Sequence, residues 1–245
     1  MSMVAEEYER MAALEDTMWW YQGLHGNVRD ALRRYHPAPS ALLDAGCGTG
    51  GTLSVIGKAF PATALHGLDI AEQACAFTRT KTGAQVTVGS VDGLPYKDAC
   101  FDALVSSDVL GYRIDVDAAV AGFHRVLRPG GLCVINLAAY QWMLSYHDRA
   151  VGQVRRFTRN EMLALLRKHG FQPIFASYWN TFLFPLMVLR RKILPAPAAS
   201  DVTPFHPWMN ALFRRCVAAE GTLLGRGVTL PFGGSLFIVA RKPRS

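Results

Sequence analysis

The segment from Ala41 to Gly51, with the sequence ALLDAGCGTGG, constrains the fold of this chain more than any other. It places an apolar run, an acidic residue, closely spaced glycines and the start of a helical stretch in direct succession. Glycines at 46, 48 and 50 allow a tight turn and a close approach of the backbone to a ligand. A helix that begins after such a turn presents unpaired N–H groups to that ligand. The segment therefore predicts a nucleotide-cofactor site. It also satisfies the dinucleotide fingerprint, so it does not by itself choose the cofactor.

The composition is that of a globular protein. Of the 245 residues, 50% are hydrophobic and 18% are charged, which is enough for a sizeable core and excludes a disordered chain. No apolar run approaches the ~20 residues that cross a bilayer, and the acidic first ten residues do not resemble a signal peptide. We therefore predict a cytoplasmic protein. Five scattered cysteines without a Cys-x-x-Cys pair predict reduced thiols and no metal site.

The net charge of +7 is spread along the chain. Short basic clusters occur at 33–34, 155–156, 190–192, 214–215 and 241–242, and aromatic residues are not interleaved with them in one patch. This pattern favours a solvated basic surface. The alternative is attraction to an anionic substrate or a peripheral contact with a membrane.

Strands and helices alternate along most of the chain. Strands are predicted at 42–45, 64–70, 85–88, 102–107, 132–137, 171–178 and 235–241. Helices are predicted between them, at 52–59, 72–80, 117–127 and 161–169, and Asn160 is the predicted cap of the last one. Such alternation predicts an α/β fold with a seven-stranded, doubly wound sheet and helices on both faces. Ligands bind such sheets at the carboxyl ends of the strands.

Two helical segments are predicted outside this sheet. Residues 1–36 form a predicted N-terminal helical lid, in which the aromatic residues 19–21 lie between two helices. Residues 180–230 form a predicted helical insertion before the last strand, because they are too many for an ordinary connection. The insertion contains predicted helices at 181–194 and 207–224, joined by a Pro/Ala/Ser-rich linker at 195–204. The predicted ligand-binding domain is the remainder, 37–179 and 231–245.

Five ordered segments resemble the motifs of one enzyme family. They are 43–50 (LDAGCGTG), 66–70 (HGLDI), 94–102 (LPYKDACFD), 106–110 (SSDVL) and 125–131 (RVLRPGG). In this order they resemble the class I S-adenosylmethionine-dependent methyltransferases, in a type 11-like branch that acts on small molecules. The resemblance implies a Rossmann-like fold, S-adenosylmethionine as cofactor, and in-line transfer of a methyl group to a small, partly hydrophobic molecule. The acceptor atom stays open among oxygen, nitrogen and carbon.

The resemblance also implies which residues hold the cofactor. Asp44 is expected to orient the amino-acid end, and Asp69, 23 residues after Gly46, to accept hydrogen bonds from both ribose hydroxyls. Relatives often carry Asp where this chain has Ser90, so the adenine contact falls to Ser90 or to the nearby Asp92. The predicted cofactor contacts are Asp44, Gly46, Cys47, Gly48, Gly50, Asp69, Ile70, Ser90, Val91 and Ser107.

The acceptor side is predicted from two other segments that resemble one branch of the family. His147, just past the fifth strand, is the candidate general base, with Asp148 or a backbone carbonyl setting its tautomer; a structural role is the alternative. The WWY triplet at 19–21 supplies Tyr21 as the candidate lid residue over the sulfonium. The predicted acceptor contacts are Tyr21, Tyr146, Arg156 and Phe184.

Three other functions compete with methyl transfer. A nicotinamide-dependent oxidoreductase is disfavoured by the acid before the glycines and by the Pro-Gly-Gly turn. A nucleic-acid methyltransferase is disfavoured because the chain lacks an Asn/Asp-Pro-Pro-aromatic loop after the fourth strand, and because Cys100 follows alanine rather than proline. A cofactor-binding protein that does not methylate, cyclase-like or a structural partner, stays open. The choice between monomer and homodimer also stays open.

Overall fold

Seven strands form one sheet in the computed structural model, which describes residues 5–194 and 205–244. The strand order is β3-β2-β1-β4-β5-β7-β6. Neighbours from β3 to β5 pair in parallel, whereas β7 runs antiparallel between β5 and β6. The predicted Rossmann-like, seven-stranded sheet is confirmed. The strands are β1 (Ala41–Ala45), β2 (Ala64–Asp69), β3 (Gln85–Val88), β4 (Phe101–Ser107), β5 (Leu127–Ala138), β6 (Gln172–Trp179) and β7 (Ser235–Arg241).

Helices cover both faces of the sheet. The helices are α1 (Ala5–Leu14), α2 (Trp19–Tyr35), α3 (Gly51–Ala59), α4 (Glu72–Thr82), α5 (Val116–Val126), α6 (Tyr146–Ala150), α7 (Arg159–Lys168), α8 (Phe184–Val188) and α9 (Pro207–Gly225). Along β5, Leu132 and Val134 enter the hydrophobic core formed with α2, α3 and α9, whereas Cys133 and Ile135 enter the core formed with α5 and α7. This split follows because successive side chains of a strand point to opposite faces.

Helix α2 belongs to the layer that covers the sheet. Its residues Val28 and Leu32 are fully buried. A Cβ atom on Gly23 would lie 3.1 Å from side-chain atoms of both Trp179 and Val217, so α2 and α9 pack closely on this face. The N-terminal segment is therefore partly structural, while α1 and the first half of α2 reach the cavity described below. The division into lid, domain and insertion stays a prediction.

The start of α7 differs from the prediction. Asn160 lies inside this helix, and Thr158 is its cap. The Thr158 hydroxyl accepts a hydrogen bond from the Glu161 N–H, while the Glu161 carboxylate accepts one from the Thr158 N–H. This reciprocal capping box satisfies two backbone donors at once, which a single Asn cap does not. The aromatic triplet also lies elsewhere than predicted, because it forms the first turn of α2.

The first helix of the insertion is shorter than predicted, whereas α9 (Pro207–Gly225) agrees with the predicted 207–224 to within one residue. The helix predicted from residue 181 begins at Phe184, and it continues after Val188 as one wider, π-helical turn over Leu189–Ile193. The backbone N–H groups of residues 181 and 182 are instead bound by the carboxylate of Glu220, on α9. The predicted linker at 195–204 lies outside the described residues. Across the described ranges, no helix combines the length and the apolar character that crossing a membrane requires.

Candidate active site

A cavity of about 700 Å³ opens at the carboxyl ends of β1, β2 and β4. This volume is usual for a site that binds small ligands. One end of the cavity, here called the cofactor end, is formed by the glycine turn after β1 and by the ends of β2 and β4. The other, here called the acceptor end, is formed by α2, α8 and α9 and by the segment after β5.

The glycine turn is shaped by its backbone. Gly46, Gly48 and Gly50 all have positive φ angles, at 92°, 53° and 90°. A Cβ atom on Gly46 would lie only 2.0 Å from the Cγ2 atom of Val109, so this position has no room for a side chain. Gly46, Cys47 and Gly48 line the cofactor end, whereas Gly50 lies outside the cavity wall and turns the chain into α3. The turn therefore presents backbone, rather than side chains, to a ligand.

Asp69 lies at the end of β2, beside the glycine turn. Its Oδ2 atom accepts a hydrogen bond from the Gly48 N–H, and its Oδ1 atom accepts one from the Ala71 N–H, both at 3.0 Å. Burial raises the pKa of Asp69 above its ordinary value, and these backbone donors oppose that rise. Each carboxylate oxygen keeps a further lone pair for a ligand hydroxyl. Ile70, the next residue, is exposed in the same wall.

We expect Asp69→Ala to weaken the binding of S-adenosylhomocysteine by ~1–3 kcal/mol, because charged hydrogen bonds to the ligand and to the glycine turn are both lost. Isothermal titration calorimetry measures this change directly. Glu72→Ala is the matched control, since Glu72 is an exposed acid on the adjacent helix that pairs with Arg79. Equal affinity of the Asp69 variant and the control would remove Asp69 from the binding site.

Ser90 is placed to meet the ring end of a nucleoside. Ser90 and Val91 line the cofactor end, but Asp92 does not. The Ser90 hydroxyl donates its proton to the Asp92 carboxylate, whose other oxygen accepts the Asp115 N–H at 3.1 Å. The Ser90 oxygen is therefore left as an acceptor, which suits an exocyclic amine. Asp92 positions Ser90 and the start of α5, and the geometry does not support the predicted alternative that Asp92 binds adenine itself.

Two polar groups at adjacent strand ends lack partners among the residues that the structure describes. Asp44 on β1 is almost fully buried and is not part of the cavity wall, and its Oδ1 atom accepts no hydrogen bond there. The same holds for the Oγ atom of Ser107, which lies at the end of β4 and does line the cavity. Burial, with the nearby charges of Asp69 and Glu15, raises the pKa of Asp44 to about 8. A cationic ligand beside this group would relieve the unfavourable burial of acidic charge. The amino-acid end of S-adenosylmethionine carries such a cation, so the site fits this cofactor.

We expect cofactor binding near pH 7 to release a proton from Asp44. With a pKa of about 8, this carboxyl is mostly protonated in the free protein, and a bound ammonium group lowers the pKa. The affinity should therefore rise with pH from 6 to about 8. Calorimetric titrations with S-adenosylhomocysteine, in buffers that differ in ionisation enthalpy, count the released protons. Proton release that persists unchanged in Asp44→Asn would contradict the assignment to Asp44.

Glu15, in the connection between α1 and α2, is a site residue that the motifs do not reveal. Its Oε2 atom accepts the Gly51 N–H at 3.1 Å, and its Oε1 atom accepts from the Lys81 ammonium at 2.8 Å. A carboxylate at the first turn of α3 complements the helix dipole. The N-terminal segment is thereby joined to the glycine turn. The residues concerned are far apart in sequence, so no local pattern predicts this contact.

The acceptor end is mainly apolar and aromatic. The predicted lid residue Tyr21 lies in its wall, and so do Trp19 and Trp20. Trp20 stacks on the buried Trp179 with ring centroids 6.1 Å apart, and Trp19 meets Phe213 edge to face at 5.6 Å. The two tryptophans thus have a packing role as well as a place in the wall. Burial raises the pKa of Tyr21, so its hydroxyl stays protonated.

Arg156, a predicted acceptor contact, lines the cavity as one half of a buried ion pair. Its side chain lies 2.7 Å from Oδ1 of Asp148, and it also donates to the Ala139 carbonyl at 3.1 Å. The other Asp148 oxygen accepts from the N–H and the hydroxyl of Ser145, at 2.8 and 2.9 Å. These contacts make Asp148 the counter-ion of Arg156, rather than the predicted partner that sets the tautomer of His147. His147 itself lies in the cavity wall.

Two predicted acceptor contacts lie outside the cavity wall. Tyr146 lies beneath the Arg190 guanidinium, 5.9 Å from the ring centroid. Phe184 belongs to an aromatic cluster whose neighbouring ring centroids are 5.8–6.1 Å away, on Tyr140, Trp142 and Phe232. Leu183, Leu186 and Met187 of the same segment reach the cavity instead. The segment that contains Phe184 therefore forms part of this wall, through residues other than Phe184 itself.

The structure adds Asp108 to the cavity wall, directly after β4. The sequence motif at 106–110 contains this residue, but the resemblance to the family does not imply a role for Asp108.

Among residues 5–194 and 205–244, no group of three or more His, Cys, Asp or Glu side chains is placed to hold a metal ion.

Known proteins share this fold and this sequence pattern. A chain from the complex between the Haloferax volcanii Trm112 methyltransferase activator and a methyltransferase superposes with a TM-score of 0.63 and 20% identity, covering 97% of this chain and 98% of that one. The fatty-acid O-methyltransferase of Mycolicibacterium smegmatis is 28% identical over 113 residues, which cover 45% of this chain and 41% of that protein. This chain therefore aligns with less than half of the length of the second protein.

A longer sequence match shows the family to which this chain belongs. The malonyl-[acyl-carrier protein] O-methyltransferase of Methylococcus capsulatus is 35% identical over 208 residues, which cover 79% of this chain and 76% of that protein. The family described as "Methyltransferase domain" matches residues 43–135, from the glycine turn to β5. With a cavity that fits S-adenosylmethionine at the expected strand ends, this chain belongs to the class I S-adenosylmethionine-dependent methyltransferases, and it is an enzyme.

Proposed function

We propose that this enzyme methylates an oxygen atom of a small molecule with a hydrophobic body. The observation that carries the proposal is the apolar acceptor end, whose wall includes Trp19, Trp20, Leu186, Met187 and Phe213. An apolar wall of this kind binds apolar surface through its removal from water. The choice of oxygen is supported by the relatives, which are named as O-methyltransferases of malonyl-[acyl-carrier protein] and of fatty acids.

The residues at one end of the cavity bind the cofactor, and the residues at the other end bind the acceptor. When bound, S-adenosylmethionine supplies an activated methyl group. The glycine turn, Asp69 and Ser90 would hold it at the cofactor end by backbone approach and by hydrogen bonds. Tyr21 and the tryptophans exclude water from the acceptor end. Holding the two reactants in line supplies much of the rate enhancement, because displacement at an activated methyl group depends strongly on alignment.

A matched panel of acceptors tests the proposal. We expect tritium transfer from methyl-labelled S-adenosylmethionine to 4-nonylphenol, decanol or decanoic acid, and no transfer to decylamine. Leu186→Ser should lower kcat/KM for the accepted compound by about tenfold, because covering the exposed Leu186 side chain with the acceptor contributes ~1.5 kcal/mol. Leu189→Ser is the control, since Leu189 lies in the same segment outside the cavity wall. Transfer to the amine alone would contradict the proposal.

Three further predictions concern the cellular setting. The exposed side chains of Phe182, Leu189 and Ile193, next to the basic residues 190–192, support a peripheral membrane contact. This contact, the cytoplasmic location and the choice between monomer and homodimer stay predictions.

A further inference from the structure

The backbone of Asp108 is held in an uncommon conformation at the cavity wall. This non-glycine residue has a φ angle of 57°, in the left-handed region. Its N–H donates to the carbonyl of Asn136 at 2.8 Å, which fixes the residue against the end of β5. Left-handed backbone at a residue with a side chain costs free energy and is concentrated at functional sites. The residue held in this conformation lines the cavity.

The Asp108 side chain is held by a buried network across three strands. The Nδ2 atom of Asn136 donates to Oδ2 of Asp108 at 2.9 Å, and the Oδ1 atom of Asn136 accepts from the Trp179 indole N–H at 2.7 Å. Asn136 and Trp179 are both buried. Because indole only donates, it fixes the orientation of the Asn136 amide, and the NH₂ group must point to Asp108. The carboxylate is therefore positioned before any acceptor binds.

Burial and the surrounding groups together place the pKa of Asp108 near neutral pH. Enclosure in the cavity raises its pKa to about 7, although Asn136, the Arg156 guanidinium and the Ala138 N–H oppose the rise and Asp148 adds to it. Tyr21 from α2 and Tyr112 from the following loop also face this charge, and burial raises the pKa of both. A carboxyl group whose pKa lies near the working pH is suited to general-base catalysis, because it can accept a proton in the transition state and release it afterwards.

The other acids of the cavity wall are engaged differently. They bind backbone N–H groups or cations: Asp69 binds Gly48 and Ala71, Glu15 binds Gly51 and Lys81, and Glu7 binds Arg10. The Asp108 side chain also accepts from a backbone N–H, that of Ala138, but its Oδ2 atom is held by the neutral side-chain amide of Asn136. Arg156 is no direct counter-ion for it, because Arg156 pairs with Asp148.

We propose that Asp108 is the proton acceptor of the methyl-transfer reaction, and that the acceptor oxygen is therefore a hydroxyl rather than a carboxylate. This proposal rests on the proposed O-methyl transfer. A lone pair of the hydroxyl oxygen forms the new O–CH₃ bond, the electrons of the C–S bond pass to sulfur, and the hydroxyl proton passes to the Asp108 carboxylate. A carboxylate acceptor has no proton to lose and would be repelled by the Asp108 charge.

Single-turnover transfer to 4-nonylphenol and to decanoic acid, from pH 5 to pH 9, tests the proposal. We expect the wild-type enzyme to methylate the phenol, with a rate that rises through an apparent pKa near 7. Asp108→Asn should lower this rate at least ~100-fold and remove the pH dependence. Its affinity for S-adenosylhomocysteine should stay within about twofold of wild type, which shows that the variant is folded and that the cofactor end is intact.

The outcomes separate the two proposals. If the phenol is methylated and Asp108→Asn keeps the wild-type rate and pH profile, the role of Asp108 is wrong while the proposed function stands. The role is equally wrong if His147→Ala, and not Asp108→Asn, removes the pH dependence, or if decanoic acid is methylated in place of the phenol. If neither compound is methylated although S-adenosylhomocysteine binds, the proposed function fails, and the role of Asp108 fails with it.

Discussion

Replacing Gly46 by alanine should weaken the binding of S-adenosylhomocysteine at least ~100-fold. The new Cβ atom would lie 2.0 Å from the Cγ2 atom of Val109, a separation that non-bonded carbon atoms do not reach. The φ angle of 92° adds backbone strain, because alanine disfavours this region. Strain and overpacking each cost ~1–3 kcal/mol, and any movement that relieves them displaces the turn that faces the ligand. Isothermal titration calorimetry measures the loss.

Gly83→Ala is the matched control for this experiment. Gly83 also has a positive φ angle, at 65°, but a Cβ atom there meets nothing within 4 Å. It ends α4 and lies outside the cavity wall, so its substitution should cost some stability and leave the affinity near that of wild type. If Gly46→Ala binds as well as Gly83→Ala, the glycine turn is not the part of the wall that contacts the cofactor.

Replacing Asp148 by alanine should lower the free energy of unfolding by ~3–5 kcal/mol. The substitution leaves the Arg156 guanidinium buried without its counter-ion, and the cost of such a charge exceeds that of most lost contacts. It also removes the capping box between Ser145 and Asp148 that starts α6. Urea denaturation followed by circular dichroism measures the change.

Two comparisons isolate the buried charge. Asp117→Ala breaks an exposed ion pair with Lys168 and should leave the free energy of unfolding close to that of wild type. The double variant Asp148→Ala/Arg156→Met removes both charges and should be more stable than Asp148→Ala alone. A double variant that is less stable than the single variant would show that the buried charge is not the cause.

The ion pair between Asp148 and Arg156 also makes the free energy of unfolding depend on pH. Although burial opposes it, the Arg156 guanidinium and the Ser145 donors hold the pKa of Asp148 below its ordinary value. The Asp148 carboxylate therefore binds a proton more weakly in the folded state than in the unfolded chain. The contribution of Asp148 to stability is complete above about pH 5 and is lost as the pH falls through the lowered pKa.

The cofactor end could be predicted from the sequence because its parts are local. The glycine turn joins a strand to the next helix within eleven residues, and the spacing from Gly46 to Asp69 is that of one β-α-β unit. Motifs of this kind predict the fold and a nucleotide-cofactor site, and the choice of S-adenosylmethionine followed from the resemblance of all five ordered segments to one family. The sheet is likewise encoded in short apolar runs, so the predicted strands agree with the observed strands to within a few residues, apart from the earlier start of β5 at Leu127.

The acceptor end could not be predicted in the same way, because its contacts join distant segments. Asn136 and Trp179 meet Asp108 only when β4, β5 and the strands beyond them are assembled. Asp148 is one of the two predicted partners of His147, beside a backbone carbonyl, and it is the next residue in sequence, whereas neighbouring side chains on a helix do not face each other. The start of the short helix α6 could have been predicted, since Ser145 and Asp148 have the spacing of a capping box.

Both proposed roles of this enzyme require the glycine turn to hold S-adenosylmethionine, and calorimetric titration of the purified protein with S-adenosylhomocysteine tests this most directly. We predict saturable binding at one site per chain, lost in Gly46→Ala and kept in Gly83→Ala, with no saturable heat from NADH. Saturation by NADH, with no heat from either S-adenosylmethionine or S-adenosylhomocysteine, would contradict both roles.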